Sequence, residues 1–277
     1  MSRIRTAARR LIEKLGLMRV AFRVQERLRA FDHRNRGGVQ SSDGIAVPDA
    51  HLIVSVGGHS NVAAFLEGGR EIADAIRDIL GARGIKLDSL GSILDFGCGC
   101  GRVLRHWSGL PKSVAIYGTD YNKKAIAWCA RNLPFVRTGV NRLEPPLKYD
   151  NGFDFIYAFS VFTHFSEALQ TAWIRELTRI LAPGGYLLIT VHGESFRSAM
   201  TTEEQARFDR GDLVVRYSGM AGSNLCAAFH PLSYLKSFSG GLELVEHLPA
   251  RMQQDAVLFR KPILDRQSCG VSAATNG

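Results

Sequence analysis

A chain of 277 residues, 45% hydrophobic and 22% charged, has the composition of a globular protein able to bury a substantial core. No apolar run approaches the roughly 18 residues a bilayer requires, which argues against a transmembrane helix. The net charge of +9 is concentrated at one end, because residues 1–36 hold eleven Lys/Arg against three Asp/Glu and the rest is nearly neutral. Any argument from basicity is therefore an argument about those 36 residues.

In chain order, residues 1–38 read as a basic amphipathic helical extension, with Ile4, Ala8, Leu11 and Leu15 at helical spacing and a second helix from Val20 to Phe31. Three uses stay open for it: a solvated helix pair packed on the domain, an anchor drawn to anionic lipid, or a lid or dimer arm. Nucleic acid ranks last. The N-terminus lacks the apolar core and cleavage site of a secretory signal and is read as mature sequence. The five cysteines, Cys98, Cys100, Cys129, Cys226 and Cys269, form no Cys-x-x-Cys pair, so reduced thiols in the cytoplasm are expected and no metal site is. The corresponding location is cytoplasmic, with peripheral contact at the inner face of the membrane open through the basic end.

Residues 39–91 read as a helical lead-in or lid, its main helix marked by Ala63, Phe65, Ile72, Ile76, Ile79 and Leu80. From Ser92 the pattern alternates. Strands are expected near 92–96, 114–118, 154–159, 185–191, 242–247 and 254–260, and helices near 101–109, 122–132, 166–181 and 232–238. This order predicts an α/β fold with a parallel sheet covered on both faces, over residues 92–265. An insertion at 195–229, with capping-box spacing between Thr201 and Glu204, reads as a substrate cover, and 266–277 as a disordered tail.

The stretch "ILDFGCGCGR" carries the chemistry. Glycines 97, 99 and 101 between a strand and a helix let backbone N–H groups approach a ligand, and a following helix N-terminus would favour an anion. A dinucleotide fingerprint fails, since its third glycine would fall at Arg102 or Leu104. Asp95, inside the strand end, would repel a pyrophosphate and accept a hydrogen bond from an ammonium group. Asp120, nineteen positions after Gly101, is placed to accept from ribose hydroxyls; its competing reading is a helix N-cap. An amine plus a ribose describes an amino-acid nucleoside.

With "IYGTDYN", "FDFIYAFSVFTHF", "LAPGGYLLITVHG" and "QQDAVLFRK" following in order, residues 60–260 resemble the class I S-adenosylmethionine-dependent methyltransferases. The resemblance implies a Rossmann-like, mostly parallel seven-stranded sheet with helices on both faces, the last strand antiparallel, holding S-adenosyl-L-methionine at the carboxyl ends. It places Asp95, Gly97, Cys98 and Gly99 around the methionine moiety, Asp120 on the ribose, and Tyr121 and Asn141 by the adenine. Ser160 borders the methionine end. It points to the small-molecule branch: "SVFT" stands where base-methylating enzymes carry an acidic residue or Asn followed by Pro-Pro-aromatic, and a sugar hydroxyl is the acceptor the resemblance suggests first.

A hydroxyl acceptor must lose a proton as it attacks, so His164 and His192 are the expected proton acceptors, with His230 behind them. A cofactor-binding regulatory protein without turnover, and a methyltransferase acting on a macromolecule, stay open as alternatives. A homo-oligomer is compatible with the extension.

Overall fold

The computed structural model describes residues 41–150 and 152–263 together with Val24 and Leu28, which are helical and exposed. The rest of the basic extension and the tail at 266–277 lie outside the described residues. Among the described residues, no helix is long and apolar enough to cross a membrane.

Seven strands form one sheet: β1 Ser92–Phe96, β2 Ala115–Asp120, β3 Val136–Val140, β4 Phe153–Ala158, β5 Leu181–Val191, β8 Glu243–Leu248 and β9 Asp255–Arg260. Their spatial order is β3-β2-β1-β4-β5-β9-β8. β9 alone runs antiparallel to its neighbours, as expected for the last strand. The helices are α1 Ala50–Gly57, α2 Val62–Gly81, α3 Lys123–Asn132, α4 Glu167–Ile180, α5 Thr202–Asp209 and α6 Leu232–Ser237. A two-stranded ribbon, β6 Val214–Arg216 with β7 Ala227–Phe229, completes the insertion.

Period-two alternation within fully buried strands builds two cores. Ile93, Phe155, Tyr157 and Leu188 face Ile72 and Ile76 of α2 and Cys129 of α3. Leu94, Phe96, Ile156 and Ile189 face Trp173, Ile174 and Leu177 of α4, with the Phe96 and Trp173 rings 4.4 Å apart. Each such side chain contributes about 2 kcal/mol of burial.

The helix ends follow local rules. Asn61 caps α2 by accepting from Ala64 N–H, and Thr201 with Glu204 closes the predicted capping box on α5. Asn122 caps α3 by accepting from the N–H groups of Lys124 and Ala125. The N-cap reading of Asp120 is thereby replaced, and its carboxylate is left for other partners.

The helix expected at 101–109 does not form. Turns lead into a short 3-10 segment, Leu104–Trp107. Val103, Leu104, Arg105 and Trp107 are all buried, a distribution that no helix with a single apolar face produces. The buried charge explains the misreading, because Arg105 is only 1% exposed yet reads as surface in a pattern. Its guanidinium donates to Asp43 Oδ2 (2.6 Å), Asp43 Oδ1 (2.9 Å), Ser41 Oγ (2.8 Å) and the carbonyl of Ile45 (3.0 Å). The chain entering α1 is thus strapped across the body of the domain.

Candidate active site

The carboxyl ends of β1, β2 and β4, with the residues following β3, surround a cavity that opens to solvent. Asp95, Gly97, Cys98 and Gly99 line one side of it. Asp120, Tyr121, Asn141 and Ser160 line the rest of the predicted positions. His164 reaches the same cavity, whereas His192 and His230 do not.

The glycine loop is held by Asp120, whose Oδ2 accepts from Gly99 N–H at 2.9 Å while Oδ1 accepts from Asn122 N–H at 2.7 Å. Burial raises its carboxyl, against the lowering effect of these two bonds. Each oxygen keeps a lone pair for a ligand hydroxyl. Gly97 and Gly99 have φ of +79° and +54°, and a Cβ on them would lie 2.3 Å from Val161 Cγ2 and 2.5 Å from Val56 Cγ2. Two walls press so closely on the loop that only hydrogen fits there.

Asp95 is 3% exposed and accepts from Tyr157 Oη at 2.9 Å, which in turn accepts from Trp107 Nε1 at 2.8 Å. Burial pushes its carboxyl up to about 8, opposed by the Tyr157 hydrogen bond. Arg102, which sequence reasoning used only to exclude a dinucleotide, also lines the cavity. Its Nε is buried without a partner and its guanidinium lies 4.8 Å from the Phe159 ring centroid. With no α-helix after the loop, this cation supplies the positive charge that a helix N-terminus was expected to give. Asn141 Oδ1 is a second buried orphan, while its Nδ2 donates to the carbonyl of Arg142 at 2.6 Å.

His164 Nδ1–H donates to the carbonyl of Cys226, in the insertion, at 2.8 Å. A carbonyl only accepts, so the neutral ring carries its proton on Nδ1 and Nε2 is the basic nitrogen. Burial lowers its pKa, against the effect of that bond, and the ring is neutral at pH 7. His192 instead packs between Phe196 (4.3 Å) and Phe229 (5.4 Å), its pKa pushed down to about 4 by burial. His230 is enclosed, donates from Nε2 to Gln170 Oε1 at 2.7 Å, and is pushed down to about 3 by burial.

Two segments roof the cavity. Ser55 and Val56 come from α1, and Gly222 and Asn224 from the insertion. They meet where Asn224 Nδ2 donates to the carbonyl of Ser55 at 3.4 Å. Tyr121 Oη donates to the carbonyl of Gly222 at 2.5 Å, and Gly222 N–H donates to the carbonyl of His164 at 2.8 Å. No local motif marks Ser55, Val56 or Asn224 in the sequence.

The profile of a family described as "Methyltransferase domain" matches residues 64–230, more than half of the chain, from α2 through the roofed site. The chain belongs to this methyltransferase family. Its matched region is a methyltransferase domain, of the kind that uses S-adenosylmethionine. Curated relatives include the probable tRNA methyltransferase 9B of Mus musculus, 30% identical over 139 residues (50% of this chain, 28% of that protein), and its Homo sapiens counterpart, 30% identical over 134 residues (48% and 27%). The methyltransferase chain thus matches only about a quarter of the length of these relatives. Similar solved folds include DesVI of Streptomyces venezuelae, 17% identical with a TM-score of 0.51 over 71% of this chain and 92% of that one. The CcbJ methyltransferase of Streptomyces caelestis, at 15% identity, has a TM-score of 0.51 over 70% and 89%.

The residues present fit the cofactor of this methyltransferase family. The orphaned Arg102 Nε suits a carboxylate, Asp95 an ammonium, Asp120 a diol, and the orphaned Asn141 Oδ1 an exocyclic amine.

Proposed function

We propose that this methyltransferase methylates a hydroxyl of a small acceptor, a sugar being the class favoured, with His164 as the proton acceptor. The observation that carries the reading is the 2.8 Å bond from His164 Nδ1 to the Cys226 carbonyl, which leaves Nε2 as the basic nitrogen of a ring that lines the cavity. S-Adenosylmethionine supplies an electrophilic methyl group. The chain's own residues hold and orient its ends through Asp95, Arg102, Asp120 and Asn141. A small acceptor is supported by the roof, in which the Ser55–Asn224 and Tyr121–Gly222 contacts cross above the cavity.

A second reading, an RNA acceptor, is favoured by the names of the curated relatives. The two separate on turnover with a panel of sugars and glycosides against total tRNA. Within the active class, His164→Ala should lose roughly 10²–10³-fold in kcat while binding S-adenosylhomocysteine within about threefold of wild type. For the wild type, kcat should fall on the acid side, below an apparent pKa under the usual 6.5 of histidine, and be flat with respect to this group above it. An unchanged kcat in His164→Ala, or a cofactor affinity that falls equally, would remove the base from the mechanism.

A further inference from the structure

The loop after β4 contains a strained residue. Ser160 has φ +58° without being glycine, a conformation that neighbouring contacts must hold. Those contacts form a closed ring of three hydrogen bonds. Ser160 N–H donates to Thr190 Oγ1 at 2.7 Å, the Thr190 hydroxyl donates to Gln254 Oε1 at 2.6 Å, and Gln254 Nε2–H donates back to Ser160 Oγ at 3.0 Å. Thr190 is 1% exposed, so water does not compete for its bonds. Gln254 stands immediately before β9, and the reversed direction of that strand brings its beginning to the carboxyl ends of β4 and β5.

The turn decides where three consecutive side chains point. Phe159 lies under the Arg102 guanidinium, Ser160 lines the cavity, and Val161 packs where a Cβ on Gly97 would be. Release of φ at residue 160 would move both neighbours and, with them, the wall against Arg102 and the glycine loop. We infer that Thr190 and Gln254 are positioning residues of this methyltransferase, acting through the left-handed turn at Ser160 to set the cofactor-facing wall. This inference rests on S-adenosylmethionine occupying the described cavity.

The test measures S-adenosylhomocysteine affinity of the full chain by calorimetry, well below the thermal midpoint of each variant. Thr190→Val, which keeps the volume and removes the hydroxyl, should weaken binding roughly tenfold, as should Gln254→Ala, while Thr190→Ser stays within about twofold of wild type. Glycine adopts φ +58° without support, so in a Ser160→Gly background the Thr190→Val penalty should shrink to under about threefold. Wild-type affinity in both Thr190→Val and Gln254→Ala overturns the inference. So does a Thr190→Ser loss as large as that of Thr190→Val, or a penalty undiminished in the Ser160→Gly background. Wild-type chain that gives no heat with S-adenosylhomocysteine overturns the placement of the cofactor itself.

Discussion

Replacing Asp43 by Asn removes the charge from the strap that crosses the domain and leaves the size of the side chain almost unchanged. Arg105 is 1% exposed and Asp43 26%, so the guanidinium loses its one carboxylate partner among the described residues where water cannot replace it. Removing one member of a fully buried pair costs about 3–5 kcal/mol; the partial exposure of Asp43 and the surviving bonds to Ser41 and Ile45 reduce this to about 2 kcal/mol. For a domain of this size that is a fall in Tm of roughly 4–8 °C. Although burial by itself would raise the Asp43 carboxyl, hydrogen bonds from Arg105, Ser41 and Ile45 and the Arg105 charge hold it far below the usual range. A depressed folded-state pKa contributes stability that is complete above the unfolded pKa of about 3.9 and is lost as pH falls toward the folded value. Denaturant melts of wild type and Asp43→Asn should therefore differ most at pH 6–7, and the gap should begin to close below about pH 4 and narrow further as pH falls. A gap of constant size from pH 7 to pH 3 would refute the ionic account of the strap. The same variant loosens the approach to α1, so its S-adenosylhomocysteine affinity should fall several-fold.

Gly99→Ala should weaken S-adenosylhomocysteine binding by at least about tenfold, since the new methyl meets Val56 at 2.5 Å; Gly84→Ala, at a similar φ of +72° with nothing within 4 Å, should cost about 1 kcal/mol of stability and leave affinity unchanged. Equal affinities for the two variants would show that Val56 does not form the wall. Asp95, pushed up to about 8, is protonated at pH 7, and pairing with an ammonium would ionise it. Calorimetry at pH 7 in two buffers of different ionisation enthalpy should thus register close to one proton released on binding, declining to none by about pH 9.5. Buffer-independent heats at pH 7 would contradict the pairing.

The parts of the fold that could be read in the sequence are those where neighbours along the chain carry the information. The strand alternation about Ile93–Phe96 and Phe155–Ala158, the capping box at Thr201, and the glycines between β1 and the loop each depend on short-range pattern. Asp120 is legible as an acid ending β2, but that Asn122 and not Asp120 caps α3 depends on side-chain geometry that the sequence does not carry. The segment at 101–109 was misread because a buried arginine imitates a surface one; only its distant partner Asp43 reveals the difference. His192 and His164 occupy equivalent-looking strand ends, and a choice between them requires knowing that Phe196 and Phe229 enclose the first while Cys226 orients the second. Ser55 and Asn224 reach the site across 169 positions, a separation at which no local spacing rule operates.

The roof has a kinetic meaning. Its two sides, α1 and the insertion, are joined by a stretched contact, 3.4 Å long, between an amide and a main-chain oxygen. A bond of that length from an exposed amide contributes little to holding the two sides together, in contrast to the short bonds that fix Arg105 to the strap. Asn224→Ala should therefore shorten the residence time of S-adenosylhomocysteine, as stopped-flow release would show, and an unchanged off-rate would refute this role for the seam.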